Sequence, residues 1–152
     1  MGGEKSGSGR ASCREGEAEA AELTRDAERA MEKHPESLMN EIAKKEGKVT
    51  GRTAFDAMNA GDKTAKALVS RYIRYVGEGL VNIGNYIRPE IIFMGGGISN
   101  QGDWFIKRLQ AYVTRYSYGG KRNPYIKVVK ATLKNEAGIL GAAALALKNG
   151  KN

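Results

Sequence analysis

Glu90-Ile91-Ile92-Phe93-Met94 is an apolar run that breaks into Gly95-Gly96-Gly97, passes Ile98-Ser99 and feeds a helical pattern. A short run of this kind, apolar through its centre, reads as a strand buried on both faces. A second run, Tyr125–Ala131, reads as another strand, and amphipathic helices follow each of them. Strands that alternate with helices in this way predict an α/β fold with a parallel sheet. The glycines have a further consequence. With no Cβ in the way, backbone N–H groups at such a turn come close to an anion, as a nucleotide phosphate requires. Glycines also serve merely to turn a strand into a helix, and the pattern by itself leaves both readings open.

Four helices precede the first strand. The alanine- and glutamate-rich run Glu17–Lys33 repeats Leu23, Ala27, Ala30 and Met31 at helical spacing, and His34-Pro35 ends it. His34, the only histidine, reads as a solvent-exposed helix-terminal residue. Ser37–Lys45 forms a second helix stopped at Gly47, and Thr53–Ala60 a third closed by Gly61. Asp62 reads as the N-cap of the longest helix, Lys63–Ile87, with an apolar stripe of Leu68, Tyr72, Val76, Leu80, Ile83 and Ile87. Gly77, Gly79 and Gly84 lie inside that helix, each at a cost of about 1 kcal/mol against alanine, which predicts close approach of another backbone. After the glycine turn, Asp103–Tyr116 is amphipathic, and Asn135 caps a last helix, Glu136–Leu147, in which Gly138 and Gly141 read as packing glycines. Tyr72, Tyr75, Tyr112 and Tyr116 read as core or interface residues rather than a base-stacking platform.

Charge and cysteine usage narrow the function classes. The formal charge of +8 is spread through helices that also carry acids, and the best basic cluster, Lys121-Arg122 with Lys127 and Lys130, is short. That describes a solvated basic surface better than a nucleic-acid interface. No apolar run approaches the length of a membrane span. Residues 1–10 have no apolar centre of the secretory kind. Cys13 is the only cysteine, so no internal disulfide forms, and a reducing, cytoplasmic setting is predicted. Only two strands are countable, and a two-stranded parallel sheet is hard to stabilise by itself.

Four segments, taken in order and spacing, carry a resemblance. They are Arg52-Thr53-Ala54-Phe55-Asp56-Ala57-Met58-Asn59-Ala60-Gly61-Asp62, Tyr75-Val76-Gly77-Glu78-Gly79-Leu80-Val81-Asn82, Pro89 through Ser99, and Asn135-Glu136-Ala137-Gly138-Ile139-Leu140-Gly141-Ala142-Ala143. Together they resemble the C-terminal half of ROK-family bacterial sugar kinases, glucokinase-like members especially. The resemblance implies part of an actin-like ATPase (ribonuclease H-like) fold: residues 17–148 as the C-terminal lobe, 149–152 as a tail, and 1–16 as a loop-like remnant of the family's zinc and sugar element. It implies ATP and Mg²⁺ as cofactors of the intact enzyme and a hexose such as glucose as substrate. Gly95, Gly96, Gly97, Ile98 and Ser99 would then contact nucleotide through the backbone; no Walker lysine motif is present. The family's catalytic aspartate belongs to an N-terminal lobe with no counterpart here, so none of these residues is expected to be catalytic.

The family's zinc element reads Cys-x-Cys-Gly-x-x-Gly-Cys followed by x-Glu. The matching stretch, Ser6-Gly7-Ser8-Gly9-Arg10-Ala11-Ser12-Cys13-Arg14-Glu15, keeps the spacing with serines at the first two ligand positions. A neutral hydroxyl is a poor zinc ligand and one thiolate builds no tetrahedral site, so no structural zinc is expected. Glu15 matches the glutamate that accepts hydrogen bonds from sugar hydroxyls; its other reading is an ordinary exposed acid. The resemblance also leaves two alternatives to the kinase. One is a non-catalytic, dimerising sugar-sensing module of a ROK-type repressor, and the other an excised scaffold. All three readings are compatible with a homo-oligomer.

Overall fold

The structure is a computed structural model that describes residues 15–95, 101–122, 126–132 and 146–147, with side chains from residue 21 onward. Its elements are α1 (Glu15–Lys33), α2 (Leu38–Glu46), α3 (Gly51–Asn59), α4 (Lys63–Ile87), β1 (Ile91–Met94), α5 (Asp103–Tyr116) and β2 (Lys127–Lys130). A single 3₁₀ turn, Gly120–Arg122, follows α5. The chain divides into two units, Met1–Tyr75 and Val76–Asn152, with the boundary inside α4. No described helix is long and apolar enough to cross a membrane.

The first unit is helical. Leu23 and Ala27 of α1, Met39 of α2, Ala54 and Phe55 of α3, and Val69 of α4 are buried as the apolar spacing predicts. The Phe55 and Tyr72 rings meet edge to face, 6.4 Å between centroids at 89°. The helix ends follow capping chemistry. Gly47, at φ 72°, closes α2 in the left-handed region, where a Cβ would be strained. The Thr50 amide at the start of α3 donates to Thr53 Oγ1 at 3.0 Å. Asp62 caps α4 as expected, its Oδ1 accepting from the Ala65 amide at 2.6 Å. The same carboxylate serves a second helix: Oδ2 accepts from Ser37 Oγ at 2.9 Å and from the Leu38 amide at 2.7 Å. Ser37 Oγ itself accepts from the Met39 amide at 3.3 Å, so one acid and one hydroxyl complete the amino ends of both α2 and α4. Burial pushes the Asp62 carboxyl up, but these hydrogen bonds and those from the Ala65 and Thr64 amides outweigh it and hold it below the ordinary aspartate value.

The second unit holds a strand–helix–strand arrangement. β1 and β2 pair in parallel, with Ile91 opposite Lys127 and Met94 opposite Lys130. α5 connects them and buries Phe105, Leu109 and Val113. The far edge of β2 is closed by one side chain of α5. Gln110 Nε2 donates to the Ile126 carbonyl at 3.0 Å while its Oε1 accepts from the Val128 amide at 2.7 Å. An amide group thus stands where a neighbouring strand would, satisfying one donor and one acceptor of an open edge.

Three sequence expectations are corrected here. β1 is not buried on both faces: Ile91 and Phe93 are 42% and 68% exposed. Strand alternation turns them away from the side they would share with buried Val128. The apolar stripe of α4 does not continue through Ile83 and Ile87, which are exposed; the buried line runs through Val76, Gly77, Leu80, Val81 and Gly84. That line follows the 3.6-residue turn, whereas a stripe read from large side chains alone drifts off it. Gly77 and Gly84 of α4 admit side chains, not another backbone, and Gly79 faces open space. A Cβ on Gly77 would stand 2.6 Å from Tyr112 Cδ1, one on Gly84 2.5 Å from Ile126 Cδ1, and one on Gly79 near nothing.

Candidate functional site

Gly95 follows the last residue of β1, at the carboxyl end of a parallel strand pair. In open α/β sheets this is the end at which ligands bind. The local structure does not require glycine there. Its φ is not in the left-handed region, and among the described residues a Cβ would find only Ala131 Cβ, at 4.0 Å, an ordinary contact. Gly95 is also exposed. An exposed glycine leaves its backbone N–H and carbonyl open to approach from outside.

The helix after the glycine turn adds to this end of the sheet. α5 begins at Asp103 behind Gly102, which sits at φ 100° as the N-cap and supplies no side-chain hydrogen bond. The first amides of this 14-residue helix therefore have no side-chain cap from Gly102, and they carry the positive end of the helix dipole. Asp103, an acid in the first turn, offsets part of that charge. Among the described residues, no group of three His, Cys, Asp or Glu could hold a metal ion. A magnesium ion that arrives already held by nucleotide phosphates needs no such cage.

Gly96, Gly97, Ile98, Ser99 and Cys13 fall outside the described residues, as does the side chain of Glu15, whose backbone opens α1. Most of the expected last helix, with Gly138 and Gly141, is also outside them; Leu147, within it, is helical and exposed. His34 is exposed just past α1, its Nδ1 3.1 Å from Glu36 Oε1. Of the four tyrosines, Tyr72 is buried and Tyr112 half-buried, while Tyr75 and Tyr116 are exposed.

A cavity lies at the opposite end of the strands. It has a volume near 560 Å³ and is lined by Ile91 and Lys127, the first residues of β1 and β2, and by the last turns of α4 and α5. Asn85, Arg88, Glu90, Thr114 and Lys127 bring polar side chains to its lining. Sequence patterning does not reach this cavity, because its residues come from four separate element ends. The one local signal is Arg88-Pro89-Glu90, two charges flanking a helix-ending proline.

Comparison with known proteins places this architecture. Residues 2–149 match the ROK family profile. The chain is 31% identical to a glucokinase of Halalkalibacterium halodurans over 95% of its own length and 43% of that protein's. It is 30% identical to a glucokinase of Thermotoga maritima over 88% and 42% of the two lengths. The chain thus spans less than half the length of these relatives. The crystal structure of a ROK family glucokinase from Streptomyces griseus, in complex with glucose and AMPPNP, superposes with a TM-score of 0.70 at 26% identity, covering 83% of this chain and 41% of that one. A ROK family protein from Streptococcus pneumoniae in complex with sucrose superposes at 0.57 with 25% identity, over 75% and 40%. The expected fold class holds: helix-rich, with few parallel strands, and shared with sugar kinases of the actin-like ATPase fold. On the profile match along nearly its whole length, the chain belongs to the ROK family.

Proposed function

We propose that this chain is the ATP-binding C-terminal part of a glucokinase-like kinase that phosphorylates a hexose such as glucose, working in the cytoplasm as a homo-oligomer. The observation that carries this reading is the superposition on a relative that holds both glucose and a nucleotide analogue. Gly95 at the carboxyl end of β1 supports it, because an exposed glycine leaves its backbone open to a ligand. Gly96, Gly97, Ile98 and Ser99 continue that backbone contact, and Glu15 serves the sugar. The chain's own contribution is to bind and orient: amides of the turn meet nucleotide, and Mg²⁺ arrives with the phosphates. The 152 residues by themselves hold nucleotide without transferring its phosphoryl group, since in the ROK pattern the general base belongs to the other lobe.

Calorimetric titration of Mg-ATP into the chain, with and without glucose, tests the proposal. Saturable binding is expected, weakened at least about tenfold by Gly95→Val, whose branched side chain stands where the ligand must approach. Absence of binding, or equal affinity in the variant, refutes the site. A coupled kinase assay is expected to show no turnover; turnover by the chain alone would refute its non-catalytic role.

A further inference from the structure

Gln110 closes the outer edge of β2, but β1 has no such plug. Among the described residues β2 is the one neighbour of β1. The Glu90 carbonyl accepts from the Lys127 amide at 2.9 Å, and the Met94 carbonyl from the Ala131 amide at 2.8 Å. Along a strand the N–H and C=O of one residue point to the same edge, and successive residues alternate between edges. Glu90, Ile92 and Met94 therefore face β2, while Ile91 and Phe93 direct both of their backbone groups to the free edge. The side chains of Ile91 and Phe93 are exposed as well. Protected edges carry lysine, proline or a bulge. Ile91-Ile92-Phe93-Met94 has no charge and no proline, and its register on β2 is unbroken. A bare edge of this kind is a template for another strand.

The edge is complementary to itself. Run antiparallel about a two-fold axis through Ile92, two copies place Ile91 of one opposite Phe93 of the other. Each such pair exchanges both of its N–H···O bonds, so the free groups of both residues are satisfied in both chains. The axis stands perpendicular to the sheet, which keeps Ile91 and Phe93 of both copies on one face, where they cover one another. Glu90 then stands opposite Met94, and no like charges meet. A register shifted toward the amino end would set Phe93 against Pro89, which has no N–H to give. A shift the other way would set Ile91 against Gly95, which has no side chain to cover it. Because Gln110 already fills the outer edge of β2, the pairing ends at a dimer and does not grow into a fibre. It also joins two marginal strand pairs into one larger sheet. We propose that β1 binds β1 of a second copy of this chain, edge to edge and antiparallel, in a closed dimer. This rests on the homo-oligomer reading above and names the surface it uses. So short a strand covers far less than the about 800 Å² per partner of a standard interface, so a dissociation constant of about 10–100 µM is expected.

Hydrogen exchange of the Ile91 and Phe93 amides in the whole chain, followed from micromolar to millimolar concentration, tests the pairing. Exchange is expected to slow at least about threefold as concentration rises. Phe93→Pro removes an N–H that points away from β2, so the parallel ladder is kept while the free edge is blocked. It is expected to weaken self-association at least about tenfold with helix content unchanged. A cross-link gives a second readout, which decides the matter if Phe93→Pro lowers helix content. In a Cys13→Ser background, Ile92→Cys lies on the axis, where facing residues outside the hydrogen-bonded pairs sit about 4.5 Å apart between Cα atoms, within disulfide reach. It is expected to join two chains on oxidation, whereas Met94→Cys, which faces Glu90 rather than its own counterpart, is not. Exchange at Ile91 and Phe93 that is slow at every concentration would mean that another segment of the same chain already covers the edge, and overturns the proposal. So does undiminished association of a natively helical Phe93→Pro, or cross-linking through Met94→Cys in preference to Ile92→Cys; both leave the homo-oligomer reading standing. A chain that stays monomeric to millimolar concentration removes both.

Discussion

Gly77 and Gly79 stand two residues apart in α4 and meet opposite surroundings: the ring of Tyr112 covers the first, and open space lies over the second. Helix preference favours alanine at both by about 1 kcal/mol. At Gly77 that gain meets a contact of 2.6 Å with ring carbon Cδ1, and forcing a methyl into filled space costs about 1–3 kcal/mol. Gly77→Ala is therefore expected to lower stability and Gly79→Ala to raise it by up to about 1 kcal/mol, readable as opposite shifts of a urea midpoint. Shifts of the same sign would refute the packing argument. Asp62 gives the second prediction at this scale. Its folded-state pKa lies below the unfolded value, so the unfolded chain takes up the proton first. The stabilisation is fully present above about pH 4 and is lost as pH falls through the folded pKa. Asp62→Asn keeps one acceptor but turns an NH₂ toward amide or hydroxyl donors, at a cost of about 1–3 kcal/mol near neutral pH. Stability measured against pH should therefore fall less steeply below pH 4 in the variant than in the native chain. Equal slopes would show that the doubly bonded carboxylate is not the group responsible.

Among the elements, those held by local chemistry are legible in the sequence. Glycine after α2, proline after α4 and aspartate before α4 mark ends that the structure keeps within a residue or two. What the sequence does not disclose is how one element completes another. Asp62 is readable as a cap of α4, but its bond to the Leu38 amide joins positions 24 residues apart. Gln110 is unremarkable within an amphipathic helix, yet it closes the edge of β2. Likewise, burial on both faces of β1 requires a second covering layer, which a run of apolar residues implies without supplying. Gln110→Leu tests the edge. Leucine fills similar space but leaves the Val128 amide, on a residue only 5% exposed, without its acceptor. A loss of about 1–3 kcal/mol is expected, together with faster hydrogen exchange at Val128. Unchanged exchange would mean that another group already satisfies that amide.

For the whole molecule, the nucleotide contact expected at Gly95–Ser99 is a contiguous stretch, the kind of site a sequence can present, though only Gly95 of it lies among the described residues, whereas the cavity at the other end of the strands is assembled from residues 84 to 127 and has no sequence signature. Surface apolarity is a third property that only the structure reveals. Ile83, Tyr86 and Ile87 of α4 and Ile91 and Phe93 of β1 are 42–92% exposed, all within one unit. Full burial of one such side chain contributes about 1.5–3 kcal/mol. In a symmetric dimer each residue counts twice, so covering even part of this set yields on the order of 15 kcal/mol before association costs of about 4–15 kcal/mol. What remains runs from nothing to about 11 kcal/mol, and a micromolar dissociation constant, which requires about 8 kcal/mol, lies inside that range. Size-exclusion chromatography with light scattering is accordingly expected to show concentration-dependent self-association of the native chain. Tyr86→Lys with Phe93→Lys should return it to monomer without lowering helix content, since both side chains are mostly solvated already, at 92% and 68% exposure. A native chain that stays monomeric up to high micromolar concentration would mean that these exposed side chains do not drive self-association, and the homo-oligomer reading would fall with them.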